Sequence, residues 1–221
     1  MIPPGSAPVP VLSEAERDKL DRSDDALFYA EPRFVQHLDA SFRQRLTLLY
    51  RQRIPACAVV LDLMSSWVSH LPEDVSYEQV IGHGLNAQEL AANPRLDRHW
   101  LQNLNTDLNL PLPDDSVDVA LMVAGWQYLQ HPEAIASELL RVVRPRGELI
   151  VAFSNRMFFQ KAPQIWADGS YRDHLAYVER VLLAQGWPRP LQVAEETRAP
   201  GPLGWIGGKG DPFFALIATK S

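Results

Sequence analysis

Three short stretches of this 221-residue chain gather side chains that could do chemistry. The first runs from Asp62 to His70, where a carboxylate is followed by Met64, Ser65, Ser66, Trp67, Ser69 and an imidazole. Hydroxyls both donate and accept, so such a run can hold a carboxylate or a sugar hydroxyl, with His70 beside it as a candidate base. The second is Trp126-Gln127-Tyr128, two flat aromatic faces that attract a cation, with one amide between them. The third is Ser154-Asn155-Arg156, with Lys161 following, where a guanidinium and an ammonium could fix a substrate carboxylate or phosphate. Each has a plain structural use as well. Trp126 and Tyr128 can cap a core, Arg156 can pair with an acid such as Glu148, and His70, His83 and His131 can be ordinary surface or capping residues. No general base is assigned among them.

Other chemistries lack their residues. There is no Gly-x-Ser-x-Gly elbow and no His-Glu-x-x-His pair, and Gly207-Gly208-Lys209-Gly210 lacks the Ser or Thr of a phosphate loop and reads as a connector. Cys57 is the one cysteine, which excludes an intrachain disulfide and a cysteine-rich zinc site, so no metal is expected. A formal charge of −6 supplies no general attraction for polyphosphate, so no nucleic-acid partner is expected. The N-terminus lacks the basic-then-apolar order of a signal peptide, and no apolar run approaches the ~20 residues that span a bilayer. A cytoplasmic protein with no membrane partner is the expectation.

The elements that must position these stretches follow from periodicity. Residues 1–25 begin with four prolines and end in charge, bury little apolar surface, and read as a flexible N-terminal arm before a single domain over 26–221. Phe34, Leu38, Phe42, Leu46 and Leu49 recur at helical spacing, leaving Arg43, Arg45, Arg51 and Arg53 on a solvated face. Ile54-Pro55 ends that helix, and Ala58 to Leu63 is a continuous apolar run suited to a central parallel strand. Further strands read at 79–82, 117–123, 148–153, 191–194 and 213–218, with helices over 87–92 behind an Asn86 cap, after His131-Pro132, and around 175–182. Alternating strands and helices imply a mostly parallel sheet covered on both faces, with ligands beyond the carboxyl ends of its strands.

Leu110-Pro111-Leu112-Pro113-Asp114-Asp115-Ser116-Val117-Asp118, taken with Glu138, Arg141 and Arg144-Pro145-Arg146-Gly147, resembles the methyltransferase type 11 group of the class I methyltransferases. The resemblance covers roughly residues 58–153. Within that group the chain is more similar still to an obscure branch carrying Leu61-Asp62-Leu63-Met64-Ser65-Ser66-Trp67, Asp107-Leu108-Asn109 and Phe153-Ser154-Asn155-Arg156. It implies an α/β, Rossmann-like fold with a seven-stranded, mostly parallel sheet, and S-adenosyl-L-methionine as cofactor. The group's first motif, Asp-x-Gly-x-Gly-x-Gly, brings main-chain amides close to the methionine carboxylate and the ribose. Here Asp62 remains and every glycine is replaced. The resemblance places Asp62, Met64, Ser65, Ser66, Asn86, Asp107 and Leu108 at the cofactor. Gly84 falls where the group carries a ribose-binding carboxylate, and Asp107 where it contacts the adenine amino group. Trp126, Tyr128, Asn155, Arg156 and Lys161 fall on the substrate side.

Two functions fit: methyl transfer to a small, anionic molecule, or a catalytically inactive methyltransferase-like module that binds a ligand or a protein. The first requires a cavity above Asp62 and Met64 bounded by Asn86 and Asp107, whereas the second has Trp67 or Met64 filling that space.

Overall fold

In the computed structural model, which describes residues 7–195 and 210–221, one seven-stranded sheet carries the domain. Its strands are β1 (Val59–Leu63), β2 (Gln79–Gly84), β3 (Arg98–Leu101), β4 (Val117–Val123), β5 (Val143–Phe153), β6 (Leu191–Glu195) and β7 (Phe213–Thr219). They stand in the order β3-β2-β1-β4-β5-β7-β6. The first five are parallel, and β7 runs antiparallel to both β5 and β6.

Alternation through the sheet assigns side chains to two cores. Leu61, Leu63, Met122, Val151 and Leu216 face α5 (Pro132–Val142) and α7 (Tyr171–Ala184). Val60, Leu121, Ile150 and Ala215 face α3 (Ala40–Arg53), which lays down Phe42, Leu46 and Tyr50 at four-residue spacing. The caps agree with the chemistry of the sequence. Asp39 accepts from Phe42 N at the start of α3, and the α3 C-cap is Ile54, just before Pro55. Asn86 caps α4 (Ala87–Ala92) through Gln88 N and Glu89 N, and Pro132 opens α5.

The structure corrects the sequence reading in four places. Phe34 lies ahead of α3 and is half exposed, because the helix begins only at its Asp39 cap. Strand β3 has no apolar alternation to betray it: Arg98, His99 and Leu101 are exposed on an edge. Strand β5 takes in the turn-like Arg144-Pro145-Arg146-Gly147, tied by Arg146 N to Lys220 O.

The fourth correction is the arm. Residues 7–25 are laid against the domain, with two one-turn helices, α1 (Glu14–Arg17) and α2 (Asp25–Phe28), completing at its end. Val11 N and Leu12 N both donate to Glu133 at 2.9 Å, and Arg17 forks onto the same carboxylate. The buried pair Lys19–Asp25 closes at 2.9 Å, and Lys161 reaches Asp21 and Ser23 at 3.0 and 2.9 Å. Composition weighs apolar surface, whereas this arm is held by ions and hydrogen bonds taken out of water. Residues 1–6 and the Gly207-Gly208-Lys209 connector lie outside the described residues.

Candidate functional site

At the carboxyl ends of β1, β2 and β4 a cavity of about 690 Å³ opens. That is within the ~300–1,000 Å³ range of small-molecule and cofactor sites. Its floor is Asp62, buried at the end of β1. Ser65 Oγ donates to Asp62 Oδ2 at 2.6 Å, and the Ser69 hydroxyl also bonds to it. Burial raises the carboxyl to about 6, against the pull of these two hydroxyls.

The loop after β1 keeps the backbone of a glycine without being one. Met64 adopts φ 57°, the left-handed conformation that suits Gly, at the position where the group's first glycine falls. Space for it comes from Gly125, where an added Cβ would approach the Met64 Cβ to 2.9 Å. Two amides of this loop are already spent. Met64 N donates to His83 Nδ1 at 3.1 Å and Ser65 N to His83 O at 2.6 Å. The ring of His83, bonded at Nε2 to Gln102 O, is thereby fixed on both nitrogens, and burial lowers it to about 4. His83 is a structural brace, not a base. Gly84, next along β2, lets Ser65 O approach, since a Cβ there would sit 2.7 Å from that oxygen.

After β4, a single 3-10 turn over Trp126–Tyr128 points successive side chains about a third of a turn apart. Trp126 therefore enters the core, 1% exposed, while Gln127 and Tyr128 reach the cavity wall. Gln127 Nε2 donates to Arg156 O, but its Oε1 is buried with no partner. A buried carbonyl without a donor costs ~1–3 kcal/mol.

The expected site residues divide. Asp62, Met64, Ser65, Ser66, Asn86, Tyr128, Asn155, Arg156 and Lys161 all line the cavity. Asp107 and Leu108 do not: the turn from Asn103 carries Asp107 outward, where its carboxylate accepts from Asn109 N, and Leu108 packs against the core. Asn103, Leu104 and Asn105 form that wall instead. Asn86 is consumed, its Oδ1 capping α4 and its Nδ2 donating to Tyr29 O and Ala30 O. The Lys161 ammonium is spent on the arm. Arg156 pairs with Asp211 at 2.7 Å; Glu148 is taken by Arg53. His131 is absent from the wall, and His70 lines it with its pKa lowered to about 4 by burial.

Sequence reasoning missed the roof. Tyr29, Arg33 and His37, between the arm and α3, close the cavity from above. Trp67 stands at its rim, its Nε1 donating to Val35 O and its ring edge-on to Phe34 at 6.4 Å. Neither Trp67 nor Met64 fills the space.

The strand order, the single antiparallel strand β7 and a cavity at the carboxyl ends of β1, β2 and β4 define the class I S-adenosylmethionine-dependent methyltransferase fold. Residues 65–151 match the family model described as a methyltransferase domain, that of the type 11 group. Solved structures agree on the fold. A chain in the complex of the Haloferax volcanii Trm112 methyltransferase activator with a protein assigned as a methyltransferase superposes with a TM-score of 0.60 at 14% identity, covering 81% of this chain and 92% of that one. An S-adenosylmethionine-dependent methyltransferase from Aquifex aeolicus gives 0.54 at 16% identity, over 83% and 100%. The [4+2]-cyclase SpnF gives 0.56 at 17%, over 80% of each chain. No curated protein matches the sequence.

S-adenosylmethionine is the cofactor of the methyltransferase domain that residues 65–151 match, and the cavity lies beyond the carboxyl ends of the strands, where ligands of such sheets bind. Gln127, Tyr128 and Asn103 to Asn105 line the cavity, and a cofactor bound there would meet these residues. The Met64 and Ser65 amides offer nothing further. Among the described residues no cluster of His, Cys, Asp or Glu could hold a metal ion, and no helix is long and apolar enough to cross a membrane.

Proposed function

We propose that this protein transfers a methyl group from S-adenosylmethionine to a small, anionic molecule. The observation that carries the proposal is the open cavity of about 690 Å³ over Asp62 and Met64, at the carboxyl ends of β1, β2 and β4.

When bound, the cofactor supplies an electrophilic methyl group whose transfer needs in-line placement of a nucleophile and exclusion of water more than acid–base chemistry. The chain's own residues provide both. Asp62, Ser65 and Ser69 hold the floor, His83 braces the loop after β1, and Tyr29, His37 and Phe158 roof the cavity against solvent. Tyr128 is fixed by accepting from Phe158 N at 2.9 Å, so its ring presents one face. Arg156 leaves guanidinium N–H groups beyond its Asp211 pair at the substrate side, which supports a negatively charged acceptor.

The test is transfer of radiolabel from methyl-labelled S-adenosylmethionine into a panel of small carboxylic and phosphoric acids. The expected result is a labelled product that falls by about tenfold or more with Gln127→Leu, while the variant's stability stays within about 1 kcal/mol, because the lost bond to Arg156 O is offset by removing an orphaned oxygen. Binding of the cofactor with no transfer to any acceptor would overturn the proposal.

A further inference from the structure

The roof of the cavity holds charge that the fold does not balance. Arg33 lies with its guanidinium carbon 4.5 Å from the ring centre of Phe28, 5.6 Å from Tyr29 and 5.3 Å from Phe158. Its side chain donates to Phe28 O at 2.9 Å. Among the described residues no carboxylate forms a salt bridge with this guanidinium; Glu89 accepts from its main-chain N, not its side chain. Rings flank the planar group and hold it in orientation, leaving further N–H groups of its fork for a ligand. His37 packs edge-on against the same Phe158 ring, with centres 5.6 Å apart.

Arg156 comes to the same place from β5. Three groups act electrostatically on the His37 ring: the guanidiniums of Arg33 and Arg156 disfavour its protonated form, and Glu89 favours it. Burial is the largest influence, the two guanidiniums add to it, and the ring is held below its ordinary value. Two guanidiniums, one of them without a salt-bridge partner among the described residues, thus share the wall of one cavity with an imidazole.

We infer that Arg33, His37 and Arg156 form an oxyanion clamp that takes the carboxylate or phosphate of the methyl acceptor, with Arg33 supplied by the arm-side roof. The inference rests on the cavity being the transfer site. An oxyanion between the two guanidiniums accepts charge-assisted hydrogen bonds from both, and reverses the field on His37 so that the ring takes up a proton more readily. The clamp makes Arg33 a specificity residue: it selects acceptors by charge. A carboxylate could instead come from the cofactor's own methionine portion, since the Met64 and Ser65 amides are spent here on His83.

The experiment titrates the whole chain with inorganic phosphate, with and without saturating S-adenosylhomocysteine, following affinity by calorimetry and the His37 ring by proton NMR, assigned with His37→Gln. The expected result is phosphate binding that persists with S-adenosylhomocysteine present, weakens about tenfold in Arg33→Gln and in Arg156→Gln, and raises the pKa of His37. A tenfold loss corresponds to 1.4 kcal/mol. Thermal unfolding of both variants checks that they remain folded, and Arg33→Lys, which keeps charge but loses the fork, falls between. The inference is overturned if phosphate binds equally to wild type and both variants, or not at all. It is also overturned if S-adenosylhomocysteine displaces phosphate and Arg33→Gln weakens S-adenosylhomocysteine but not 5′-methylthioadenosine, since the clamp would then serve the cofactor. Failure of S-adenosylhomocysteine to bind, with phosphate binding intact, would strike the methyltransferase reading and not the anion site.

Discussion

Asp62 shows how a single residue can keep its place while its neighbourhood changes. In a loop without glycines, its carboxylate gathers the hydroxyls of Ser65 and Ser69, and Ser69 in turn accepts from Asn93 Nδ2 at 2.8 Å. Burial moves its titration from 3.8 to about 6. A carboxyl raised in the folded state stabilises fully below its unfolded value and loses that contribution as pH rises through 6. Asp62→Asn, which keeps an acceptor for Ser65 but cannot ionise, is therefore expected to gain on wild type between pH 4 and pH 7. The gain is on the order of 2–3 kcal/mol, read from urea unfolding at each pH. A constant difference across that range would show that Asp62 does not titrate there.

At the scale of elements, the loop after β1 depends on Gly84 and Gly125, one beneath Ser65 O and the other beside Met64. Gly84→Ala must push a backbone oxygen aside, at about 1–3 kcal/mol, and is expected to lower the thermal midpoint and weaken cofactor binding together. Loss of stability alone would separate the loop from the ligand. The sequence revealed these elements unevenly. Central strands such as β1 and β4 carry continuous apolar runs, and the caps at Asn86 and Pro132 are local signals, so the sheet and the cavity floor could be read directly. β3 could not, because an exposed edge strand of Arg, His and Trp has no buried face to impose alternation. Asp107 was misplaced because the resemblance fixes a position along the chain but not the outward turn at Asn103. Arg33 and His37 escaped notice for a different reason: the roof is built from ring contacts and main-chain hydrogen bonds between distant segments, which leave no period. Lys161 illustrates the same limit, its ammonium turned from a substrate to Asp21 and Ser23.

For the molecule as a whole, the arm is the part that turns a sheet with an open end into a closed site. Its charged anchors, Lys19, Asp25, Arg17 and Lys161, hold it on α5 and beside the 3-10 turn over Phe159–Lys161. Removing one member of a buried ionic network leaves the others uncompensated. Lys161→Met is accordingly expected to cost about 3 kcal/mol and to speed amide hydrogen exchange across residues 21–38 more than in the central strands. Uniform exchange would mean that the arm is not a separate unit.

In the proposed function this cavity receives the cofactor despite a first loop with no glycine and two amides already committed. Calorimetric titration of the full chain with S-adenosylhomocysteine tests it most directly. One-to-one binding is expected, weakening about tenfold in Gln127→Leu, which reshapes the cavity wall beside Tyr128, and unchanged in Asp107→Ala, whose side chain lies off that wall. No heat of binding at roughly millimolar ligand with folded protein, a concentration that would reveal even a −4 kcal/mol interaction, would contradict it.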